Sequence, residues 1–147
     1  MAAELTPTDA LVQASFLVQG MLERRAGEHD LSLIQTRLLG ILRDRTPTMN
    51  ELARLLGLDK SSASGLIDRA QRRGLVRRVP SQLDRRSVRV RLTDDGRRQV
   101  ESLAAEFAED IAALLEPLAL DDRAALTRSL SQVVVAHAAA QGVELMS

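Results

Sequence analysis

The clearest periodic signal lies between Asp59 and about Arg73, where Ala63, Leu66, Ile67 and Ala70 fall on one stripe at 3.6-residue spacing. The opposite stripe carries Ser61, Gly65, Asp68 and Arg72, flanked by Ser62, Ser64 and Arg69, so an amphipathic helix is predicted here. After Gly74 the period changes to two. Residues 75–79 read as one strand, residues 88–92 alternate as a second, and 80–87 form the loop of a hairpin. Upstream, Leu52, Ala53, Leu55 and Leu56 give a short helix its apolar face before Gly57 stops it, and Asp59 is placed to cap the next one. Ser32-x-x-Gln35 and Thr48-x-x-Glu51 are capping boxes that predict helix starts after Ser32 and Thr48.

Longer helices are predicted on both sides. Thr6-Pro7 with Asp9 starts one over about 7–26, ending near Gly27, with Phe16, Leu17 and Met21 expected in its core. Thr93-Asp94-Asp95 starts another, whose stripe of Val100, Leu103, Ala104, Phe107, Ile111, Leu114 and Leu115 runs to Glu116-Pro117. Asp121 is expected to cap a last helix with Leu126, Leu130, Val133, Val134 and His137 on one stripe. Two short helices joined by a three-residue turn and followed at once by a hairpin describe a winged helix-turn-helix. The predicted fold is therefore mainly α with a small β-hairpin wing, the winged unit being flanked by N- and C-terminal dimerisation helices. Residues 1–45 hold the N-terminal helices, 46–99 the winged unit and 100–147 the C-terminal helices.

Composition narrows the function. The 147 residues are 45% apolar and 27% charged, near the proportions of one globular unit. Without cysteine there is no disulfide framework, Cys-ligated zinc, iron–sulfur cluster or thiol switch. With two histidines, a metal site would need carboxylates, and no metal or cofactor is expected. No Ser-His-carboxylate grouping or phosphate-cradling glycine loop points to an enzyme. Glu4 and Asp9 stand where a signal peptide needs positive charge, and no apolar run could span a membrane, so a cytoplasmic location is expected. Phe16 and Phe107 are the only Phe, Tyr or Trp side chains, a poor supply for stacking single-stranded bases.

Charge is balanced at 20 basic and 20 acidic residues, but not evenly distributed. Residues 60–91 carry ten basic groups against Asp68 and Asp84, a net +8, leaving −8 on the rest. A cationic island of this kind calls for an anionic partner, phosphate being the obvious candidate, and the helix-turn-helix with its basic hairpin points to double-stranded DNA. Small Ser61, Ser62, Ser64 and Gly65 would let the helix backbone approach a major groove, with Lys60, Arg69, Arg72 and Arg73 reaching bases or phosphates. Arg85 and Arg86 at the hairpin tip would meet the backbone or the minor groove, with Asp84 orienting the tip.

The stretch Leu83-Asp84-Arg85-Arg86-Ser87-Val88-Arg89-Val90-Arg91-Leu92-Thr93-Asp94-Asp95-Gly96-Arg97 resembles the wing signature of the MarR (multiple antibiotic resistance regulator) family. Leu52-Ala53-Arg54-Leu55-Leu56-Gly57-Leu58, Asp68-Arg69 and Gly74-Leu75-Val76 fit the same register. The resemblance covers nearly the whole chain. It implies a homodimeric transcriptional regulator, mostly repressor, with the first and last helices at the dimer interface and a small-molecule pocket between the dimer and DNA-binding regions. For a lipophilic or anionic effector, the candidate partners are His29, Arg25 and Arg37. The breadth of apolar surface on the terminal helices argues for a homodimer independently. A twofold pair of recognition helices would read a pseudo-palindromic operator with half-sites about 34–36 Å apart.

Simpler roles are expected for several residues. Asp68 is assigned an i,i+4 bridge to Arg72, Asp84 a turn-capping role, and His137 a hydrogen-bonded place in the interface. The rival to DNA binding is a winged-helix module whose basic face takes a protein or RNA partner.

Overall fold

The computed structural model describes residues 4–143. Its elements are α1 (Pro7–Glu28), α2 (Leu33–Asp44), α3 (Met49–Leu56), α4 (Lys60–Arg72), β1 (Val76–Pro80), β2 (Val88–Leu92), α5 (Asp94–Leu114) and α6 (Leu120–Ala140). Residues 1–3 and 144–147 of the flanking spans lie outside the described residues. The predicted order of six helices and one hairpin is the order observed.

Local chemistry explains most boundaries. Thr6 accepts from the Asp9 N–H at the start of α1, and both predicted capping boxes are closed at Ser32 and Thr48. Gly57 ends α3 in the left-handed region, at φ 67°, where a Cβ would be strained. Asp59 caps α4 by accepting from Ser62 N–H at 2.7 Å, which holds its carboxyl below the usual carboxylate range. Two details differ from the expectation. The first helix runs past Gly27 to Glu28 and turns at Asp30, whose φ of 55° an aspartate tolerates better than most residues. Asp121 does not cap the last helix: Ala119 occupies that position without a side-chain bond, and Asp121 sits in the first turn, where it complements the helix dipole.

The hairpin is antiparallel, with Val76 opposite Leu92, Arg78 opposite Val90 and Pro80 opposite Val88. The first strand is shifted one residue from the 75–79 reading, because Leu75 N–H donates to the Ala70 carbonyl at the end of α4. A single bridge between Thr48 and Arg89, with Val90 N–H donating to Pro47 O at 3.0 Å, ties β2 to the start of α3. At the wing's root, Thr93 N–H bonds Leu75 O, and α5 begins so close to that strand that a Cβ on Gly96 would lie 1.9 Å from the Leu75 oxygen. Only glycine fits there.

Every buried residue among those described lies between Ala26 and Leu103. Leu38, Leu39, Leu52, Leu66, Ile67, Val76 and Val90 form its centre, so the core extends beyond the 46–99 span into α2 and the first turns of α5. No residue of α6 is buried, and in α1 only Ala26 is. Phe16, at 67% exposure, and Leu17, at 56%, are accordingly not in the core of this chain, contrary to the expectation.

Candidate nucleic-acid interface

The α4 stripe of Ala63, Leu66, Ile67 and Ala70 is buried as the periodicity requires, which turns Ser61, Ser62, Arg69 and Arg72 to solvent with Gly65 between them. A Cβ added at Gly65 would meet only the end of the Arg69 side chain, at 3.4 Å, so nothing but that long side chain crowds the helix surface there. Lys60 stands exposed in the first turn. This is a groove-sized convex face with small residues in the middle and cations at its ends.

Ser64 and Arg73 are placed differently from the rest of that group. Ser64, Asp68 and Gln71 face the wing, where Arg78 on β1 donates to Asp68 at 2.7 Å, to Gln71 Oε1 at 2.9 Å and to Ser64 Oγ at 3.5 Å. Asp68 therefore pairs across to the strand and not along the helix to Arg72, because the packing of β1 brings a cation closer than the next helical turn does. Arg73 folds back toward the turn after α1 and donates to the Asp30 carbonyl at 2.7 Å, with a longer contact to the His29 carbonyl. Its guanidinium serves the scaffold in this geometry.

At the wing tip Asp84 accepts from the Arg86 backbone N–H at 2.9 Å, and its own carbonyl accepts from Ser87 N–H at 3.0 Å. The carboxylate is thus spent on the backbone, leaving Arg85 and Arg86 exposed. Arg89, by contrast, turns inward to the Thr46 carbonyl at 2.8 Å.

The three effector candidates are all engaged. Arg25 makes a two-pronged pair with Asp110 on α5, at 2.6 and 2.8 Å, and a further bond to Glu28. The donated hydrogen bonds hold Asp110 below the ordinary carboxylate range and raise Arg25 further above neutrality. His29 Nε2 lies 3.2 Å from Glu106, and Arg37 donates to the Leu55 carbonyl at the end of α3. Sequence reasoning did not see Glu106 or Asp110 as partners, because the contact spans about eighty residues of chain and depends on how α1 crosses α5. Two open clefts lie elsewhere. One of about 410 Å³ is bounded by Arg77, Arg91 and Arg98 at the wing root, and one of about 430 Å³ lies between Arg45, Glu51, Arg54 and Val143.

Among the described residues no group of three potential ligands is placed to hold a metal ion, and no helix is long and apolar enough to cross a membrane.

A model of the MarR family matches residues 29–87. Over 127 residues the chain is 27% identical to the HTH-type transcriptional regulator PecS of Dickeya dadantii, covering 84% of this chain and 76% of that one. It is 31% identical over 99 residues to the HTH-type transcriptional repressor NicR of Pseudomonas putida, spanning 62% of this chain and 63% of the relative, just under two thirds. The crystal structure of apo MarR from E. coli superposes with a TM-score of 0.74 at 26% identity, over 88% of this chain and 98% of that one.

Proposed function

The chain belongs to the MarR family of winged helix-turn-helix transcription regulators, and from that premise we propose that it acts as a homodimeric repressor on a pseudo-palindromic operator. The observation that carries this reading is the shared exposure of the α4 face (Ser61, Ser62, Gly65, Arg69 and Arg72) and of the tip arginines Arg85 and Arg86, while other arginines are consumed by the fold. The helix enters the major groove and reads bases, and the wing reaches the adjacent minor groove. Lys60 binds backbone, and Asp84 acts only by holding the tip.

The exposed apolar faces of α1 and α6, including Leu11, Phe16, Leu17, Leu130, Val133 and Val134, support association of two copies through the terminal helices. Repression is supported by the similarity to NicR and follows when a dimer occupies promoter DNA. A cytoplasmic location is where such a regulator meets its operator. Release by a small anionic or lipophilic effector belongs to the same reading. An anion binding at Arg25, His29 or Arg37 has to displace Asp110, Glu106 or the Leu55 carbonyl, and so loosens α1 and α3 as it binds.

Selection of bound duplexes from a random pool tests the whole reading. An enriched inverted repeat with half-sites about one helical turn apart and a steep salt dependence is expected. A pool without enrichment, beside salt-insensitive binding to a protein, would favour the rival module.

A further inference from the structure

Large apolar side chains that remain exposed fall in two places among the described residues. One set lies along the terminal helices and the turn between α5 and α6, with Phe16, Leu17, Val133 and Val134 as examples. The other lies on the wing: Val88 at the foot of the tip loop, and Leu83 on the tip itself. Leu83 is 92% exposed, more than any other large apolar side chain there, the next being Leu120 at 78%. A second copy joined through the terminal helices accounts for the first set and offers nothing to the second.

The tip that carries Leu83 is internally bonded. Ser81 is buried, its N–H donates to Ser87 O at 3.0 Å, and its hydroxyl accepts from Leu83 N–H at 3.4 Å. Leu83 precedes the exposed Arg85 and Arg86 by two and three residues, and these bonds together with the Asp84 turn shape the loop that carries all three. Neither arginine has a carboxylate within ion-pair distance among the described residues. An apolar side chain beside two uncompensated cations complements a surface that is anionic along its rims and apolar on the walls beneath them. The DNA minor groove has that character, with phosphates on both rims and deoxyribose walls between them.

We propose that Leu83 is an apolar contact of the wing, seated against the sugar walls of the minor groove beside Arg86 and favouring sites whose base steps open readily. The proposal rests on the DNA-binding reading above and assigns to the wing a second, uncharged source of affinity. Pyrimidine–purine steps unstack and widen most easily, so the leucine adds a preference for such a step beneath the wing.

The test compares the parent with Leu83→Ala, Leu83→Gln, Leu83→Met and Arg86→Ala by fluorescence anisotropy on the selected duplex, at several salt concentrations. Removing a buried leucine contact should weaken binding by about tenfold in the Ala and Gln variants, with Met close to the parent. Their salt slopes should match the parent, whereas Arg86→Ala should flatten the slope by about 0.9, one phosphate's worth. The loss should be larger on a duplex with a TA step under the wing than on one with G·C pairs there. Thermal melts should coincide, since the side chain touches no core residue. If Leu83→Gln binds as tightly as the parent, the proposal is wrong while the DNA reading stands. It is equally wrong if that variant keeps its DNA affinity and only abolishes association beyond the dimer in light scattering. A parent that enriches no duplex brings down both.

Discussion

The segment from Ala26 to Leu103 and the two terminal helices obey opposite rules within one chain. Apart from Leu83 and Val88 on the wing, the first buries most of its large apolar residues, closes its capping boxes and turns its polar face outward, as a self-sufficient unit does. The terminal helices form equally regular backbone but leave Leu17 and Val134 more than half exposed, so much of their apolar surface stays uncovered among the described residues. The arginines divide along a similar line. Arg25, Arg73, Arg78 and Arg89 are held by carboxylates or carbonyls, while Arg69, Arg72, Arg85 and Arg86 stay exposed. Charge count alone does not identify a binding face; it is the cations left over after the fold has used its share that define one.

The sharpest way to break the contrast is a pair of truncations. Leu52→Ala, at a fully buried position, should lower the unfolding free energy by about 2–5 kcal/mol at any protein concentration. Leu130→Ala on α6, 40% exposed in the single chain, should act only through association, so its thermal midpoint should approach the parent's as both are diluted. A concentration-independent loss for Leu130→Ala would show that α6 is stabilised within its own chain.

The next largest effect separates folding from assembly. Leu17→Glu combined with Val134→Glu places charge on both apolar helix faces and should convert a dimer to a monomer by sedimentation, with helical content kept. Losing the second half-site contact should then weaken operator binding by about a hundredfold. A double variant that remains a dimer would move the interface elsewhere.

Neighbouring arginines sharpen the second contrast. Arg72→Ala should cost about 1–3 kcal/mol on the operator and less on random duplex, as expected for a base contact. Arg73→Ala should leave DNA affinity within twofold of the parent and lower thermal stability by about 1 kcal/mol, because it removes a bond to the Asp30 carbonyl. If the two variants exchange these phenotypes, the orientation of the end of α4 in solution differs from the one described.

The smallest effect concerns pH. Asp110 is held below its ordinary range by Arg25, so its contribution is complete above the ordinary carboxylate value and is lost as pH falls through the depressed folded one. Asp110→Asn should therefore make the acid limb of the stability profile shallower in that window and lower stability near neutrality. An unchanged acid limb would mean that the pair forms equally in the unfolded chain.

Element types and most boundaries were legible because they rest on neighbours in sequence. Apolar spacing, Thr6, Ser32, Thr48, Asp59 and Thr93 as caps, and Gly57 as a stop each act within a turn or two. The outward stripe of α4 was legible for the same reason. Tertiary structure decided whatever depended on elements distant in the chain: that Ser64 and Asp68 turn to Arg78, that Arg73 folds back, and that Arg25 and His29 meet Asp110 and Glu106. Long flexible cations make this inevitable. An arginine reaches several acceptors at similar cost, and only the packing of helices and strands determines which one lies close enough to hold it.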